Sequence, residues 1–558
     1  MSHHTSCDNI CVNRNFLKDS STLRCKLGRL QQNGSPPKHR KNKEEKKYKH
    51  KAYNGSFHKC LQHDNITGQL VDSSNYKKYK HALLKNNQQE LAKIQMAVNF
   101  QVKWVDPLGA FSTILIGIPQ NMLILSEPPF LASKSAAAEM IELYALMLAR
   151  DVSFINYTTD PIIQSALQTL SQPHIQEHLK DHLPITINTL FKGITLSEQA
   201  GPYISQLLLL DITIGGLTQK QRYKTLPTKA SAIRDGYTNE WGRNRTEMIN
   251  IENTMLNALP PYPTTHLQKR YAYSGRALTE IVHHDVGYQF YYQAANVLLG
   301  LGAKINVGFP VYPNQSAFVS ESAAPSLLCA IAEVADLAIK HVWYWKWLIY
   351  RRLRPEAFSL WIDNVKTGIV SNNNYDISEL ILNNPILNSV VASNQLWGFL
   401  NSFTLPMPYL EGSPAHPSFP AAHAGIAGAC CTIMKIFLDT EQPWLSLPGI
   451  ATIPAGPVVQ SNDNGSTLIN YNTDVANMTI NGEINKLASN IGIARMWAGI
   501  HYRSDIFEGM KLGEKVAIRY AEDMLSTMVQ NNLNGTVPSI TFRKFDGYPH
   551  TIKPTLCY

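Results

Sequence analysis

This 558-residue sequence contains no long apolar run. No stretch approaches the roughly eighteen consecutive apolar residues that a membrane-spanning helix requires, so no transmembrane segment is predicted. The N-terminal residues also lack a basic cluster followed by an apolar core, so we expect no secretory signal. Together these absences favour a cytoplasmic location by default.

Cysteine is scarce as well. Of the eight cysteines, half fall in the first sixty residues, namely Cys7, Cys11, Cys25 and Cys60. Because His58 and His63 lie close to the last of them, a zinc site is one interpretation of this group. Its spacing matches no standard zinc motif, so the sequence does not favour that interpretation. The adjacent Cys430 and Cys431 lie in a small-residue segment and are predicted to be core residues.

Positive charge is concentrated near the N terminus. Residues 38–51, KHRKNKEEKKYKHK, hold seven Lys, one Arg and two Glu, which accounts for +6 of the chain's net charge of +9. Such a block is typical of a solvated tail. Because residues 1–95 are also rich in Asn, Gln, His and Ser, we predict that this tail is largely disordered. Nucleic-acid binding is not expected outside it.

From about residue 97 the pattern becomes helical. Apolar residues at three- and four-residue intervals predict helices over residues 135–154, 283–303, 322–354, 484–500 and 504–525. Strand-like alternation is scarce and short. We therefore predict a mostly α protein built from helical bundles. The expected divisions are a tail (1–95), an N-terminal helical part (96–320), a catalytic helical bundle (321–530) and a C-terminal extension (531–558).

One further helix is predicted from a proline-rich segment, HPSFPAAHAG at residues 416–425. Proline fixes its own φ and biases the preceding residue away from helical geometry, so Pro417 and Pro420 delay the helix until about Ala421. His423 then falls in the first helical turn. That end of a helix carries unpaired N–H groups and a partial positive charge, which together favour an anion.

Basic side chains recur in three groups along the helical part. Lys346 and Arg354 are eight residues apart, so both are expected on the same side of a helix near its end. The second group is His416 with His423. The third contains Arg495 and His501, with the acidic Asp505 four residues later. If these groups converge, the site is strongly positive and suits a multiply charged oxyanion, because unpaired buried cations are unfavourable.

In this order the three groups resemble the signature of vanadium-dependent haloperoxidases, which type 2 phosphatidic acid phosphatases and bacterial acid phosphatases share. The segments AAAEMIELYALMLARDVSF, GPYISQLLLLDITIGG, HHDVGYQFYYQAANVLLG and KWLIYRRLRPEAF are similar to the bromoperoxidase branch of algae and cyanobacteria. The resemblance covers roughly residues 97–530. The eight-residue separation of Lys346 and Arg354, and a histidine at 416, also resemble that branch.

The resemblance implies two four-helix bundles with one orthovanadate per chain between them. The implied cofactor-binding residues are Lys346, Arg354, Ala422, His423, Arg495 and His501, with His501 as the vanadium ligand. His423 is implied as the acid/base residue, Lys346 as the group that polarises bound peroxide, and His416 as part of the halide side. Trp343 is implied to shape that side too, and Asp505 and Asp285 to orient the residues that contact the cofactor.

The implied reaction is the oxidation of bromide or iodide by hydrogen peroxide to a hypohalous acid equivalent, which halogenates a small organic acceptor. Relatives of this type form oligomers, so a homo-oligomer is expected. One departure is that the family pattern Pro-Ser-Gly-His reads Pro420-Ala421-Ala422-His423 here. Loss of the serine hydroxyl removes a charge-assisted hydrogen bond, which is worth about 1.5 to 3 kcal/mol. A phosphatase with His501 as nucleophile and a degenerate, non-catalytic relative remain alternatives.

Overall fold

The computed structural model describes residues 18–19, 21–26, 42–112, 116–214, 216–310, 314, 316–320, 322–527 and 538–554. The α-helices with defined bounds are α1 (Lys43–Lys47), α2 (Ser73–Leu84), α3 (Gln88–Leu91), α4 (Lys134–Ala149), α5 (Pro161–Leu170), α6 (Pro173–Gln176), α7 (Lys229–Arg234), α8 (Arg245–Glu252), α9 (Gly275–Ile281), α10 (Gln289–Gly300), α11 (Ala324–Trp343), α12 (Pro355–Lys366), α13 (Glu379–Leu382), α14 (Ile386–Gln395), α15 (Ala422–Phe437), α16 (Ile480–Trp497) and α17 (Arg503–Thr527).

Strands are short and pair only locally. The antiparallel pairs are β1 (Ile212–Ile214) with β2 (Leu217–Gln219), β3 (Tyr223–Thr225) with β4 (Gln268–Arg270), β5 (Val459–Ser461) with β6 (Leu468–Asn470), and β7 (Ile540–Arg543) with β8 (Pro549–Ile552). The prediction of a mostly α protein built from helical bundles is confirmed. In the described part of the chain, no helix combines the length and the hydropathy needed to cross a bilayer.

Helix α15 packs against α11, α16 and α17, and α17 also packs against α11 and α16. Helix α15 begins at Ala422, two residues after Pro420, as the two prolines predict. Helix α16 begins after Thr479, whose side chain accepts a hydrogen bond from the backbone N–H of Gly482 and so caps the first turn. One apolar core runs from residue 48 to residue 552. It is continuous across the expected boundary at 320/321, so the proposed divisions remain a prediction.

Helices α15 and α17 meet through glycines. A Cβ atom added to Gly513 would collide with the carbonyl oxygen of Gly425, and one added to Gly428 would collide with that of Met510. Near the helix start, a Cβ on Gly509 would lie 2.8 Å from the carbonyl oxygen of Ala421. The two helices therefore approach backbone to backbone, at a distance that only glycine permits. We call this contact the glycine seam.

The structure differs from the expected disordered tail over residues 42–95. Tyrosines along this segment, including Tyr53, Tyr76 and Tyr79, are buried in a second apolar cluster together with Trp347. The lysines of α1 remain exposed, whereas Glu45 turns inward and pairs with Arg351 at 2.9 Å. The segment folds because its aromatic residues find an apolar partner elsewhere in the chain, which its own composition does not indicate.

The long helix predicted for residues 322–354 ends earlier than expected. After Trp343 the chain makes one wide π-helical turn over Tyr344–Tyr350, and Arg351 then adopts a left-handed φ of 42°. Arg354 is the residue that precedes the first turn of α12. The expectation that Lys346 and Arg354 extend from one side of a single helix is therefore wrong, although π-helical turns of this kind are frequent at functional sites.

The glycine seam predicts opposite results for two Gly→Ala substitutions. Gly513→Ala forces a methyl group into the carbonyl of the facing helix and should destabilise the protein by about 1 to 3 kcal/mol. Gly300→Ala, at the end of α10, meets open space and should be neutral or stabilising by up to about 1 kcal/mol. Thermal unfolding at a matched scan rate measures both, and equal transition temperatures for the two variants would contradict the seam.

Two neighbouring glutamates should respond oppositely to pH. Burial raises the pKa of Glu45, but Arg351 and Lys80 outweigh it and lower the pKa to about 2. Burial raises the pKa of Glu44 to about 7. Ionised Glu45 thus stabilises the fold above about pH 4.5, and this contribution is lost toward pH 2, whereas Glu44 destabilises it as pH rises from about 4.5 to 7.

Accordingly, Glu45→Gln should destabilise the protein by about 3 kcal/mol at pH 7, with a smaller effect at pH 3, because it breaks a buried ion pair. Glu44→Gln should be stabilising at pH 7 and nearly neutral at pH 4. Urea unfolding across this pH range tests both. Loss of stability in Glu44→Gln at pH 7 would refute the raised pKa of Glu44.

Candidate active site

His501 is held by a carboxylate at the start of α17. Its Nδ1 lies 3.0 Å from Oδ2 of Asp505, and both residues are buried. Since the carboxylate accepts, Nδ1 carries the proton and Nε2 keeps its lone pair. An Nη1–H group of Arg354 donates to that lone pair at 3.0 Å. The imidazole is therefore neutral, oriented and able to bind a metal through Nε2.

Asp505 is itself fixed on several sides. Oδ1 accepts from Nη1 of Arg352 at 2.6 Å, and Oδ2 accepts from the Ser418 hydroxyl and from the backbone N–H of Tyr502. The prediction that Asp505 orients His501 remains a proposal, and this geometry supports it. Sequence reasoning missed Ser418 and Arg352, although each lies within a motif that it selected.

Three buried cations surround the histidine without an acidic partner of their own. Lys346 donates to the carbonyl oxygens of Pro417 and Ser418 at 2.7 and 2.8 Å. Arg354 donates to the carbonyl oxygens of His416 and Ile500 at 2.9 and 2.7 Å.

The third cation, Arg495, donates to the carbonyl of Val282 at 2.5 Å, and its Nε has no partner in the described structure. Their relative exposures are 0% for Lys346, 1% for Arg354 and 4% for Arg495. Within the described residues, no ion pair neutralises any of the three, which is the situation expected of a site for a multiply charged anion.

The pKa shifts in this region have the same origin. Burial, followed by the charge of Arg354, lowers the pKa of Lys346 well below its usual range. Burial lowers the pKa of Arg354 to about 10, although nearby acids oppose the shift. Burial and neighbouring cations also hold the pKa values of His416 and His501 well below the ordinary imidazole range. A bound anion would oppose these pKa shifts, because it would stabilise the charged forms of the side chains.

His423 belongs to a separate pair. Its Nε2 donates to Oδ1 of Asp285 at 2.9 Å, and its side chain is 25% exposed, compared with 2% for His501. Burial raises the pKa of Asp285, but the charge and hydrogen bond of His423 outweigh it and lower the pKa overall. Asp285 thus stays ionised beside an imidazole that solvent can reach, an arrangement suited to proton exchange.

His416 occupies the other side of Arg354. Its Nδ1 lies 3.0 Å from Nη2 of Arg354 and accepts from it. The ring of Trp343 lies 5.0 Å from the imidazole, measured between centroids, at an angle of 46°. The indole N–H donates to the carbonyl of Asp106 at 3.1 Å, which fixes the ring. His416 and Trp343 therefore form one wall next to the cations.

The start of α15 completes the cluster. The backbone N–H of Ala421 donates to the carbonyl oxygen of Asp505 at 2.9 Å, which joins the N-terminal ends of α15 and α17. Ala422 opens the first turn, whose N–H groups have no partner within the helix. Ala421 has no hydroxyl, and the nearby Ser418 hydroxyl is already engaged with Asp505. The Ser418 hydroxyl therefore does not replace the missing serine.

A family model for the second helical-bundle domain of VCPO matches residues 406–531 of this chain. That range includes α15, α16 and α17. It also includes His416, His423, Arg495, His501 and Asp505. Lys346 and Arg354 lie before it.

Curated relatives are similar along most of the chain. The vanadium-dependent bromoperoxidase of Ascophyllum nodosum is 30% identical over 507 residues, which cover 88% of this chain and 85% of that protein. The vanadium-dependent bromoperoxidase of Corallina pilulifera is 27% identical over 567 residues, covering 89% and 90%.

A solved structure has the same fold. The homohexameric structure of the second vanadate-dependent bromoperoxidase from Ascophyllum nodosum superposes with a TM-score of 0.84 at 24% identity. The superposition covers 99% of this chain and 94% of that one.

The two carboxylates of the site predict separable effects. Asp505→Asn removes the carboxylate that fixes the tautomer and orientation of His501, so affinity for a tetrahedral oxyanion such as orthovanadate should fall by about tenfold to a hundredfold. Asp285→Asn, which changes only the partner of His423, should leave that affinity within about threefold. Equilibrium dialysis with metal analysis measures both constants. A loss of equal size in the two variants would contradict the separate roles.

Proposed function

Because this chain belongs to the vanadium-dependent bromoperoxidase family and is a haloperoxidase, we propose that its buried cationic site binds one orthovanadate per chain. The supporting observation is the set of three buried cations, Lys346, Arg354 and Arg495, without acidic partners in the described structure. The donor set fits the group, because a neutral imidazole nitrogen suits a metal and the cations suit its anionic oxygens.

We assign the binding roles as follows. His501 would coordinate vanadium through Nε2, the atom left with a lone pair by its bond to Asp505. The ammonium of Lys346 and the guanidinium groups of Arg354 and Arg495 would bind its anionic oxygens. The first-turn N–H of Ala422 would contribute a further donor. When bound, vanadate supplies a Lewis acid that activates hydrogen peroxide toward a halide.

Proton movement is assigned to His423. Asp285 accepts from Nε2 of this residue, so Nδ1 is the atom that would take up or release a proton during peroxide entry and product loss. The ionised Asp285 orients the imidazole, and the partial exposure of His423 connects it to solvent. Lys346 would polarise hydrogen peroxide by donating a hydrogen bond to it.

The wall formed by His416 and Trp343 would line the halide side. Burial and nearby cations lower the pKa of His416 well below the ordinary imidazole range, so this part of the wall is a neutral imidazole. The substrates are therefore hydrogen peroxide, a halide and a small organic acceptor. A homo-oligomer is also part of the proposal, supported by the homohexamer of the structural neighbour.

The experiment compares two reactions in the full-length protein. With added orthovanadate, the protein should brominate a dye in the presence of bromide and peroxide; without vanadate it should not. Hydrolysis of an aryl phosphate by the vanadate-free protein should be absent. His501→Ala should lose both stoichiometric vanadium and bromination. His341→Gln, a buried histidine that contacts the backbone carbonyls of Leu337 and Ile118, serves as the matched control and should keep both.

Each contrary outcome overturns a defined part of the proposal. Phosphate hydrolysis alone would make His501 a nucleophile rather than a metal ligand. Retention of stoichiometric vanadium by His501→Ala would remove that residue from the cofactor site. Absence of both bromination and phosphate hydrolysis would show that the Ala421 and Ala422 replacements have disabled the site. Light scattering of the same preparations tests the oligomer, and a monomer would contradict it.

A further inference from the structure

A second cluster of ligand-type side chains lies outside the vanadate site. His58, His63 and Glu252 offer ligand atoms that all lie within 4.8 Å of one another. Their relative exposures are 1%, 2% and 2%. The two histidines belong to the N-terminal segment, and Glu252 is the last residue of α8. The cluster thus joins two parts of the chain that are almost two hundred residues apart.

The hydrogen bonds of the cluster leave two buried acceptor atoms without a donor. Nδ1 of His63 lies 3.1 Å from the amide oxygen of Asn253, which can only accept, so this nitrogen is protonated. Nε2 of His63 therefore has a lone pair, and it faces Nδ1 of His58 at 2.9 Å. In the described structure, Nε2 of His58 and Oε1 of Glu252 have no hydrogen-bond partner. Buried acceptors without donors are rare in folded proteins, because each is costly to desolvate.

We propose that this cluster is a structural site for a divalent transition-metal ion of the zinc type, bound by His58 Nδ1, His63 Nε2 and a carboxylate oxygen of Glu252. Two imidazoles and one carboxylate form a ligand set that zinc accepts, and a water molecule can complete the tetrahedron. Two nitrogen ligands of a tetrahedral zinc ion lie about 3.3 to 3.4 Å apart. The observed separation of 2.9 Å therefore needs to widen by only a few tenths of an ångström.

The surroundings already orient the ligands. The amide of Asn253 fixes His63 with Nε2 toward the site, as outer hydrogen bonds do for metal-binding histidines. The backbone N–H of Cys60 donates to the carbonyl of Glu252 at 2.9 Å, which holds the two segments together without a metal. Cys60 is not in the cluster, so the site differs from the cysteine-based interpretation of the sequence.

Metal binding changes the tautomer of one histidine. Because Nδ1 of His58 faces Nε2 of His63, the His58 proton moves from Nδ1 to Nε2 when the metal binds at Nδ1. The Glu252 carboxylate supplies negative charge to the ion, and Glu356, which pairs with Lys59 at 2.8 Å, lies beside Glu252.

The test uses the full-length protein, treated with a chelator and then with zinc or cobalt alone. After desalting, metal analysis should find one equivalent of zinc per chain in addition to any vanadium, and cobalt should give the visible absorption of a tetrahedral site. Zinc should also raise the unfolding temperature. The informative variant is Glu252→Gln, because glutamine has the same length and shape as glutamate, supplies no anionic oxygen to a metal and should leave the metal-free fold intact.

Glu252→Gln and His63→Gln should each weaken zinc binding at least tenfold. Two controls keep the result specific: His341→Gln replaces a buried histidine elsewhere, and His501→Ala removes the vanadium ligand, so both should retain zinc. Absence of zinc from the wild-type protein, or unchanged affinity in folded Glu252→Gln, would overturn the site. Loss of zinc in His501→Ala would place the metal in the vanadate pocket and overturn it equally. Because the readout is zinc content, the result is independent of halogenation.

Discussion

The active region is organised around positive charge that the protein itself does not neutralise. Lys346, Arg354 and Arg495 are buried, and their hydrogen bonds go mainly to backbone carbonyl oxygens. Neutral acceptors hold a cation in position without cancelling its charge. Removing ions from water costs several kcal/mol per ion, so the surrounding structure must supply enough stability to keep the site assembled before an anion arrives.

Much of that support passes through Asp505. This carboxylate contacts His501 and Arg352, and Arg352 also pairs with Glu139 of α4 at 2.8 Å. Glu139 in turn accepts from the backbone N–H of Ser504 at the start of α17. Buried acids and bases therefore alternate from the first half of the chain to His501, the proposed vanadium ligand. The charges around Asp505 are paired, and those facing the proposed oxyanion site are not.

Local rules were sufficient for some parts of the site and insufficient for others. The start of α15 followed from Pro417 and Pro420, because proline restricts its own backbone whatever surrounds it. The convergence of Lys346 and Arg354 was expected, but from a single helix. The intervening π-helical turn and the left-handed Arg351 depend on packing against distant residues, which periodicity does not encode.

Contacts between residues far apart in the sequence were the other feature that could not be predicted. The pairing of Asp505 with Ser418 joins residues 87 positions apart, and no spacing in the sequence indicates it. The folding of residues 42–95 depends on apolar contacts with Trp347. Most of the lysines and asparagines of this segment lie on its exposed face. Its composition therefore predicts disorder, although its tyrosines are buried. Fold class was therefore readable from the helical part alone, whereas the limits of the folded region were not.

The glycine seam has a consequence for how this protein can vary. Backbone atoms of α15 and α17 touch directly at Gly425, Gly428, Gly509 and Gly513, so no side chain can repack at these points and the register of the two helices is fixed there. The ends of these helices carry His423 and Asp505, and their spacing is therefore set independently of how the remaining core is filled. Changes in core volume can be absorbed at other interfaces. The spacing of His423 and Asp505 can therefore stay the same while the composition of the core changes, in any sequence that keeps these glycines.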